Sequence, residues 1–120
     1  MYRNYVVTAT AAGTVAGSAV GTAYSNGVVA GVIRAVHFDY SGTALTTDVT
    51  LTTMHNAQSI IAVSDSVTDA WYYPSIVLND GTAGARAAFD GVPVVDHLKL
   101  TIGQSIADEA VTATVIVQDS

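Results

Sequence analysis

The sequence from residue 45 to residue 54 reads Leu45-Thr-Thr-Asp-Val-Thr-Leu-Thr-Thr-Met54, and its side chains alternate with a period of two. The odd positions hold all the leucine and valine of the stretch together with two threonines, whereas positions 46 to 52 of the even set hold only threonine and aspartate. Because successive strand residues point to opposite faces of a sheet, this pattern predicts a strand with one face in a core and one in water. Such alternation is typical of antiparallel sheets.

Further strand patterns recur along the chain, at residues 4–11, 28–40, 59–63, 70–78 (broken by Pro74), 98–102 and 111–117. Turn signals such as Asn79-Asp80-Gly81 separate them, and only residues 80–88 suggest a helical turn. The 18 valines and 15 threonines favour strands, since their branched Cβ suits a pleated sheet. Seven or eight short strands without a crossover helix predict an all-β fold, either an antiparallel β-sandwich or a small barrel.

The length and composition indicate a single folded domain spanning residues 1–120. Within it, the glycine- and alanine-rich segment 11–27 is predicted to be an arm or loop. Half of the residues are hydrophobic and only 12% are charged, which excludes intrinsic disorder. A surface with so few charges favours a chain that packs against other chains.

The charge balance argues against two classes of partner. Four basic and ten acidic residues give a net charge of -6, which repels both a phosphate backbone and an anionic membrane surface. No apolar run approaches the roughly 18 residues that a membrane span needs. We therefore expect neither nucleic acid nor membrane as a partner.

No motif for catalysis is found in the sequence. A Gly-x-Ser-x-Gly elbow, a serine and lysine three residues apart, and a glycine-rich loop ending in Lys-Thr are all missing, and there is no cysteine. The carboxylate pairs Asp65 with Asp69 and Asp108 with Glu109 fall in polar turns, where we expect them to be solvated. The chain is therefore predicted not to be an enzyme.

The three histidines, His37, His55 and His97, stand far apart in the sequence. Although Asp96 adjoins His97, neighbouring strand residues point to opposite faces. A metal site would need partners brought together by the fold, so we interpret the histidines as partly exposed imidazoles and expect no metal and no cofactor.

The most distinctive local feature is the aromatic cluster Trp71-Tyr72-Tyr73-Pro74. One interpretation places Trp71 and Tyr73 in the core with Tyr72 on the surface. The other makes the cluster a contact patch for a neighbouring chain or a sugar ring, since tyrosine and tryptophan bring large contact area at low entropic cost. The candidate interface residues are Arg34, Trp71, Tyr72, Tyr73 and Arg86.

Strand 28–40 carries apolar side chains in both parities, with Val28, Val32, Val36, Phe38 and Tyr40 in one and Val29, Ile33 and His37 in the other. Two apolar faces and a low charge density predict a homo-oligomer, with a trimer preferred to a dimer. Arg34 shares the parity of Val32 and Val36, so we expect it to pair with a carboxylate or to reach a subunit boundary.

The order of these features resembles a known class of proteins. A Tyr-Val-Val-Thr first strand leads into the small-residue segment, and then follow Gly27-Val-Val-Ala-Gly-Val-Ile-Arg34, the threonine-rich strand, Ala70-Trp-Tyr-Tyr-Pro74, Asp80-Gly81 with Gly84, and Pro93-Val-Val-Asp-His-Leu-Lys-Leu-Thr-Ile-Gly103. This order is similar to that of small virion proteins of tailed bacteriophages, of the head decoration, cement or auxiliary capsid type. Ser75 departs from the arginine that those proteins carry after the Tyr-Pro step.

The resemblance implies a β-sandwich that binds the major capsid protein on the outer surface of the phage head, as a symmetric oligomer that stabilises the shell. It brings no catalytic residue. The alternatives are a carbohydrate-binding β-sandwich module that uses Trp71, Tyr72 and Tyr73, or a neck, tail or fibre component.

Overall fold

The computed structural model describes residues 1–42, 44–79 and 85–119, and for residues 77–79 and 85–89 it describes the backbone alone. The described residues form eleven β-strands and no helix. The strands are β1 (Tyr2–Thr10), β2 (Ala19–Tyr24), β3 (Val29–Tyr40), β4 (Asp48–Thr53), β5 (Ser59–Val63), β6 (Ala70–Tyr72), β7 (Ile76–Asn79), β8 (Ala85–Asp90), β9 (Val92–Asp96), β10 (Leu98–Ser105) and β11 (Ala110–Gln118).

Nine of these strands form two antiparallel sheets. The larger sheet has the order β1-β11-β3-β6, with β9 also paired to β3, and the smaller sheet has the order β2-β10-β4-β5. Strands β7 and β8 pair separately as a two-stranded unit. The predicted antiparallel β-sandwich is confirmed, with nine strands in its sheets where seven or eight were expected, and it is not a closed barrel.

The core lies between the two sheets. In β4, Val49, Leu51 and Thr53 are buried while Thr50 and Thr52 are half-buried on the outer side, as the alternation predicted. Strands β10 and β11 alternate in the same way and bury their apolar side chains. Each buried valine, leucine or isoleucine stabilises the fold by about 1.5–3 kcal/mol relative to exposure.

A β-bulge divides β3 into two halves of opposite parity. Its pairing with β11 shifts by one residue, so that Ala35 faces Ile116 but Ile33 faces Val117, and Arg34 is the extra residue. Val29 and Ile33 are consequently buried with Val36, Phe38 and Tyr40, although the sequence placed the two sets on opposite faces. The prediction that β3 has two apolar faces is therefore wrong. The bulge at Arg34 reverses the inward and outward positions halfway along the strand, so that apolar residues of both sets face the core.

The segment predicted to be an arm or loop contributes a strand to the smaller sheet. Strand β2 pairs with β10, and Ala19 within it is fully buried. Gly21 packs so closely against the backbone of Thr10 that a Cβ at this position would overlap the Thr10 carbonyl oxygen. Residues 19–24 are thus not an arm, because the glycine and alanine allow β1 and β2 to approach each other.

The helical turn expected over residues 80–88 is not observed where the structure describes the chain. Residues 85–88 belong to β8. Residues 80–84, including the Asp80-Gly81 part of the predicted turn, lie outside the described residues.

Candidate functional site

The outer side of the larger sheet carries a continuous row of side chains across four strands. The register places Val6 of β1 beside Thr114, Thr114 beside His37, and His37 beside Trp71 of β6. With strands about 4.8 Å apart, this row is about 14 Å long. Tyr2 lies on the same side of β1, and Val95 lies on the same side of β9.

Large apolar side chains on this side of the sheet are exposed. The exposed fractions are 64% for Tyr2, 62% for Val6, 47% for Trp71 and 74% for Val95. We call this side of the sheet, with these four residues, the apolar face; along β3 the register separates Trp71, beside His37, from Val95, beside Ala30, by seven residues. Exposed apolar side chains that share one face of a small domain mark an interaction site more often than scattered ones do.

The aromatic cluster divides between the core and the apolar face. Tyr72 lies opposite Val36 and packs against the buried Phe38, with ring centres 5.7 Å apart. Trp71 points outward and packs against His37, with ring centres 4.9 Å apart and ring planes tilted by 50°. Tyr73 is 72% exposed. The interpretation that placed Trp71 and Tyr73 in the core is wrong, because the register of β6 against β3 turns Tyr72 inward.

Arg34 extends from the bulge of β3 on the same side of the sheet. Its guanidinium donates to the Asp90 carboxylate at 2.6 Å and to the Gln118 side-chain oxygen at 2.9 Å. The expected pairing with a carboxylate is confirmed. The Gly91 backbone N–H and the Arg34 guanidinium both hold the pKa of Asp90 below its ordinary value. Because Arg34 forms a salt bridge with Asp90, it adds little unpaired charge to the apolar face.

A groove of about 520 Å³ opens beside Arg34, where β3, β9 and β11 meet. Its lining combines apolar side chains with a few polar ones, namely Gly31, Val32, Arg34, Pro93, Val94, Val95, Gln118 and Asp119. The groove extends the apolar face toward one end of the sheet. Of the remaining candidate interface residues, Arg86 belongs to β8, and its side chain lies outside what the structure describes.

The outer side of the smaller sheet has a different composition. The register aligns Thr22 of β2 with Thr101 of β10, and Thr101 with Thr50 of β4. Thr52 lies on the same side, beside Lys99. We call the surface formed by Thr22, Thr50, Thr52 and Thr101 the threonine face. These short hydroxyl-bearing side chains offer much less apolar contact area than those of the apolar face. Val20 and Tyr24 of β2 lie on the same side as Thr22 and are 60% and 48% exposed.

Of the four carboxylates predicted from the sequence to be solvated, three are exposed. Asp65, Asp69 and Asp108 are exposed, as expected. Glu109 is only 2% exposed and accepts hydrogen bonds from the hydroxyls of Thr47 and Ser105. The prediction that Glu109 is solvated is therefore wrong, because the chain after β10 turns this side chain back between the sheets.

The fold brings together two histidines that the sequence separates by 41 intervening residues. The rings of His55 and His97 lie 6.2 Å apart, and the buried Asp96 accepts from the His55 ring at 2.7 Å. Burial raises the pKa of Asp96, but hydrogen bonds from the His55 side chain and from the backbone N–H groups of His55, Asn56 and His97 outweigh it and hold the pKa at about 2. Within the described ranges, no group of three or more His, Cys, Asp or Glu side chains is placed to hold a metal ion.

Comparison with known proteins adds no relative to this description. No family profile matches the sequence, and none of the curated proteins matches it. In the part of the chain that the structure describes, there is no helix long and apolar enough to cross a membrane.

Proposed function

We propose that this chain is a bacteriophage structural protein, a decoration subunit that binds the outer surface of the phage head through its apolar face. The observation that carries the proposal is the exposure of Trp71, Tyr2, Val6 and Val95 on one side of the larger sheet. Interface residues that contribute most to binding are enriched in tryptophan, tyrosine and arginine. All three residue types occur on this side of the sheet, with Arg34 beside the groove.

The electrostatics of the face support a protein partner. Along the row from Val6 to Trp71 the side chains are valine, threonine, histidine and tryptophan, without a fixed charge. The desolvation cost of bringing this row against another protein is therefore small, since it contains no lysine or carboxylate to strip of water. The net charge of -6 works against binding to packaged nucleic acid, which favours the outside of a head over its interior.

Attachment as a symmetric oligomer increases the strength of such contacts. Once one subunit has bound, the others are held at high effective concentration near their own sites, so weak individual contacts give tight attachment together. A ligand that binds only the assembled shell also stabilises it, by RT ln(1 + [L]/Kd). The proposed activity is thus stabilisation of the head by bridging neighbouring subunits of the major capsid protein.

The test uses phage heads that lack the protein, to which purified protein is added. We expect the wild-type chain to bind and to raise the temperature at which the shell melts. A double variant, Trp71→Ala with Tyr73→Ala, should fold and not bind, whereas Thr50→Ala with Thr101→Ala on the threonine face should bind as the wild type does. Absence of binding by the wild-type chain, or binding without a change in shell melting, would contradict the proposal.

Exposure of Trp71 and Tyr73 also supports a second candidate, a carbohydrate-binding module in which these rings stack on sugars. The two candidates differ in the ligand and share the aromatic residues. Binding to a glycan array that is lost in the Trp71→Ala variant, together with no binding to heads, would favour the carbohydrate module.

A further inference from the structure

The strongest feature outside the apolar face is the pair of imidazoles formed by His55 and His97. His55 lies in the turn after β4, and His97 lies between β9 and β10. The side chain of His55 is 67% exposed, and that of His97 is half-buried. These rings therefore meet at a place that an ion from solvent can reach.

In each imidazole, the Nδ1 atom lies within hydrogen-bond distance of an oxygen atom. His55 Nδ1 lies 2.7 Å from Asp96 Oδ1, and His97 Nδ1 lies 3.2 Å from the Ser25 carbonyl oxygen. Because a carbonyl and a carboxylate only accept hydrogen bonds, both Nδ1 atoms carry the proton in the neutral rings. The lone pair of each neutral ring is then on Nε2, which is the atom left for a metal ion.

This arrangement matches the way that ligating histidines are held in metal sites. Such histidines donate their second ring N–H to a carboxylate or a backbone carbonyl, which fixes the tautomer and the ring orientation. Zinc–nitrogen bonds of about 2.0–2.1 Å in a tetrahedral site place the centres of two ligating rings about 5 Å apart. The observed separation is 6.2 Å, so the exposed ring of His55 has to move about 1 Å toward His97 when the ion binds.

The backbone around the pair is held in place before any ligand binds. The Asp96 carboxylate, which is 4% exposed as a residue, accepts from the N–H groups of His55, Asn56 and His97. The His97 carbonyl accepts from the Met54 N–H at 2.8 Å. Both imidazoles therefore extend from backbone that is fixed to the same carboxylate.

We propose that Nε2 of His55 and Nε2 of His97 together bind one divalent transition-metal ion of the zinc class, with water completing its coordination. Imidazole nitrogen is a preferred ligand for zinc, copper and nickel ions. Asp96 acts as a positioning residue through His55, and its own oxygens are already engaged by hydrogen-bond donors. The proposed site does not depend on the proposed function.

The test measures binding of Zn²⁺ alone to the untagged chain by isothermal titration calorimetry. The sequence offers a matched control, since the third histidine, His37, packs against Trp71 in the larger sheet and there is no cysteine. We expect saturable binding of one ion per chain that weakens at least about 10-fold in His55→Ala and in His97→Ala. The His37→Ala variant should bind as the wild type does.

Histidine NMR spectra provide a second readout that does not depend on the alanine variants. Adding Zn²⁺ should shift the ring signals of His55 and His97 and leave those of His37 in place. In Asp96→Asn, a folded protein should show an altered His55 tautomer in its ring ¹⁵N shifts and bind Zn²⁺ about 10 to 100-fold more weakly. Absence of saturable binding by the wild type, or equal shifts of all three histidines, would overturn the proposal.

Discussion

The two sheets of the sandwich share one core but present different surfaces to solvent. The larger sheet exposes Trp71 and Val6 on its outer side, whereas the central strands of the smaller sheet carry half-buried threonines there, such as Thr50 and Thr101. The edge strand β2 adds the exposed side chains of Val20 and Tyr24 to that side. Both surfaces are poor in charge, so composition alone does not distinguish them. The difference shows that the low charge of this chain comes from different side chains on the two sheets, mainly from large apolar ones on the larger sheet and mainly from threonine in the central strands of the smaller one.

The difference follows from which residues the strands place outward. In β4 and β10, the alternation of side chains places threonine on the outer side of the sheet, away from the core. The hydroxyl groups there can form hydrogen bonds with water. In β6 the same alternation turns Tyr72 inward, where it packs against Phe38, and turns Trp71 outward. Trp71 is therefore available for a partner.

The largest effect should distinguish the core of the larger sheet from its apolar face. Phe38 is fully buried, whereas Trp71 lies on the outer side of the sheet against His37, the residue that precedes Phe38. We expect Phe38→Ala to lower the free energy of unfolding by about 3–5 kcal/mol. Trp71→Ala should lower it by less than about 1 kcal/mol. Urea unfolding of both variants measures this, and equal losses would show that Trp71 belongs to the core.

Binding to heads should separate the apolar face from the threonine face. We expect Trp71→Ala with Tyr73→Ala to weaken attachment by about 700-fold, since two buried aromatic residues at an interface contribute about 2 kcal/mol each. Thr50→Ala with Thr101→Ala serves as the matched change on the other sheet and should leave the affinity within about 3-fold. A titration of heads with labelled protein gives both values. A reversed order of the two double variants would assign the contact to the threonine face.

A smaller effect concerns the place where the two sheets join. A Cβ at Gly21 would overlap the carbonyl oxygen of Thr10, whereas a Cβ at Gly103 would meet nothing within 4 Å. We expect Gly21→Ala to reduce stability by about 1–3 kcal/mol, because β1 and β2 must move apart. Gly103→Ala in the same sheet should be neutral or slightly stabilising. If thermal unfolding shows the two variants to be alike, β2 is not packed against β1 as described.

The smallest effect is a pH dependence in the core. Burial raises the pKa of Tyr40 above its ordinary value of 10.0, because the phenolate is poorly solvated there. The stability that comes from burying the neutral Tyr40 side chain is fully present below about pH 10, where the unfolded chain also keeps the phenol proton. This stability is lost as the pH rises toward the higher pKa of the folded state. Between about pH 9 and pH 11, the wild type should lose more stability than Tyr40→Phe. Parallel loss in the two proteins would contradict this placement of Tyr40.

The sequence predicted the parts of the fold that depend on local alternation. The odd positions from Thr47 to Thr53 are buried as expected, and β5 has the predicted bounds of residues 59–63. Leu45, which the same alternation placed in the core, is 71% exposed because β4 begins only at Asp48. Local pattern was insufficient at β3, because one bulged residue at Arg34 exchanges the two faces without a signal in the composition. The local pattern also did not predict β2, because its small residues are typical of a loop. They form a strand here because the backbone of β1 packs closely against them.

The candidate sites depended more strongly on contacts between distant strands. Trp71 and Tyr72 are both aromatic, so only the register of β6 against β3 decides which of them turns inward. The pairing of Arg34 with a carboxylate was predicted from the cost of burying its charge, and Asp90 provides it. Nothing local indicates the meeting of His55 and His97, because it follows from β4 and β10 being neighbours in the smaller sheet.

The most direct test of the proposed function is a reconstruction of virions from a phage whose genome is found to carry the gene for this chain. We expect ordered copies on the outer surface of the head at a local symmetry axis, with Trp71 and Tyr73 against the major capsid protein and the threonine face toward solvent. Virions whose heads carry no copy of the chain, or carry copies bound through the threonine face, would contradict the proposed function.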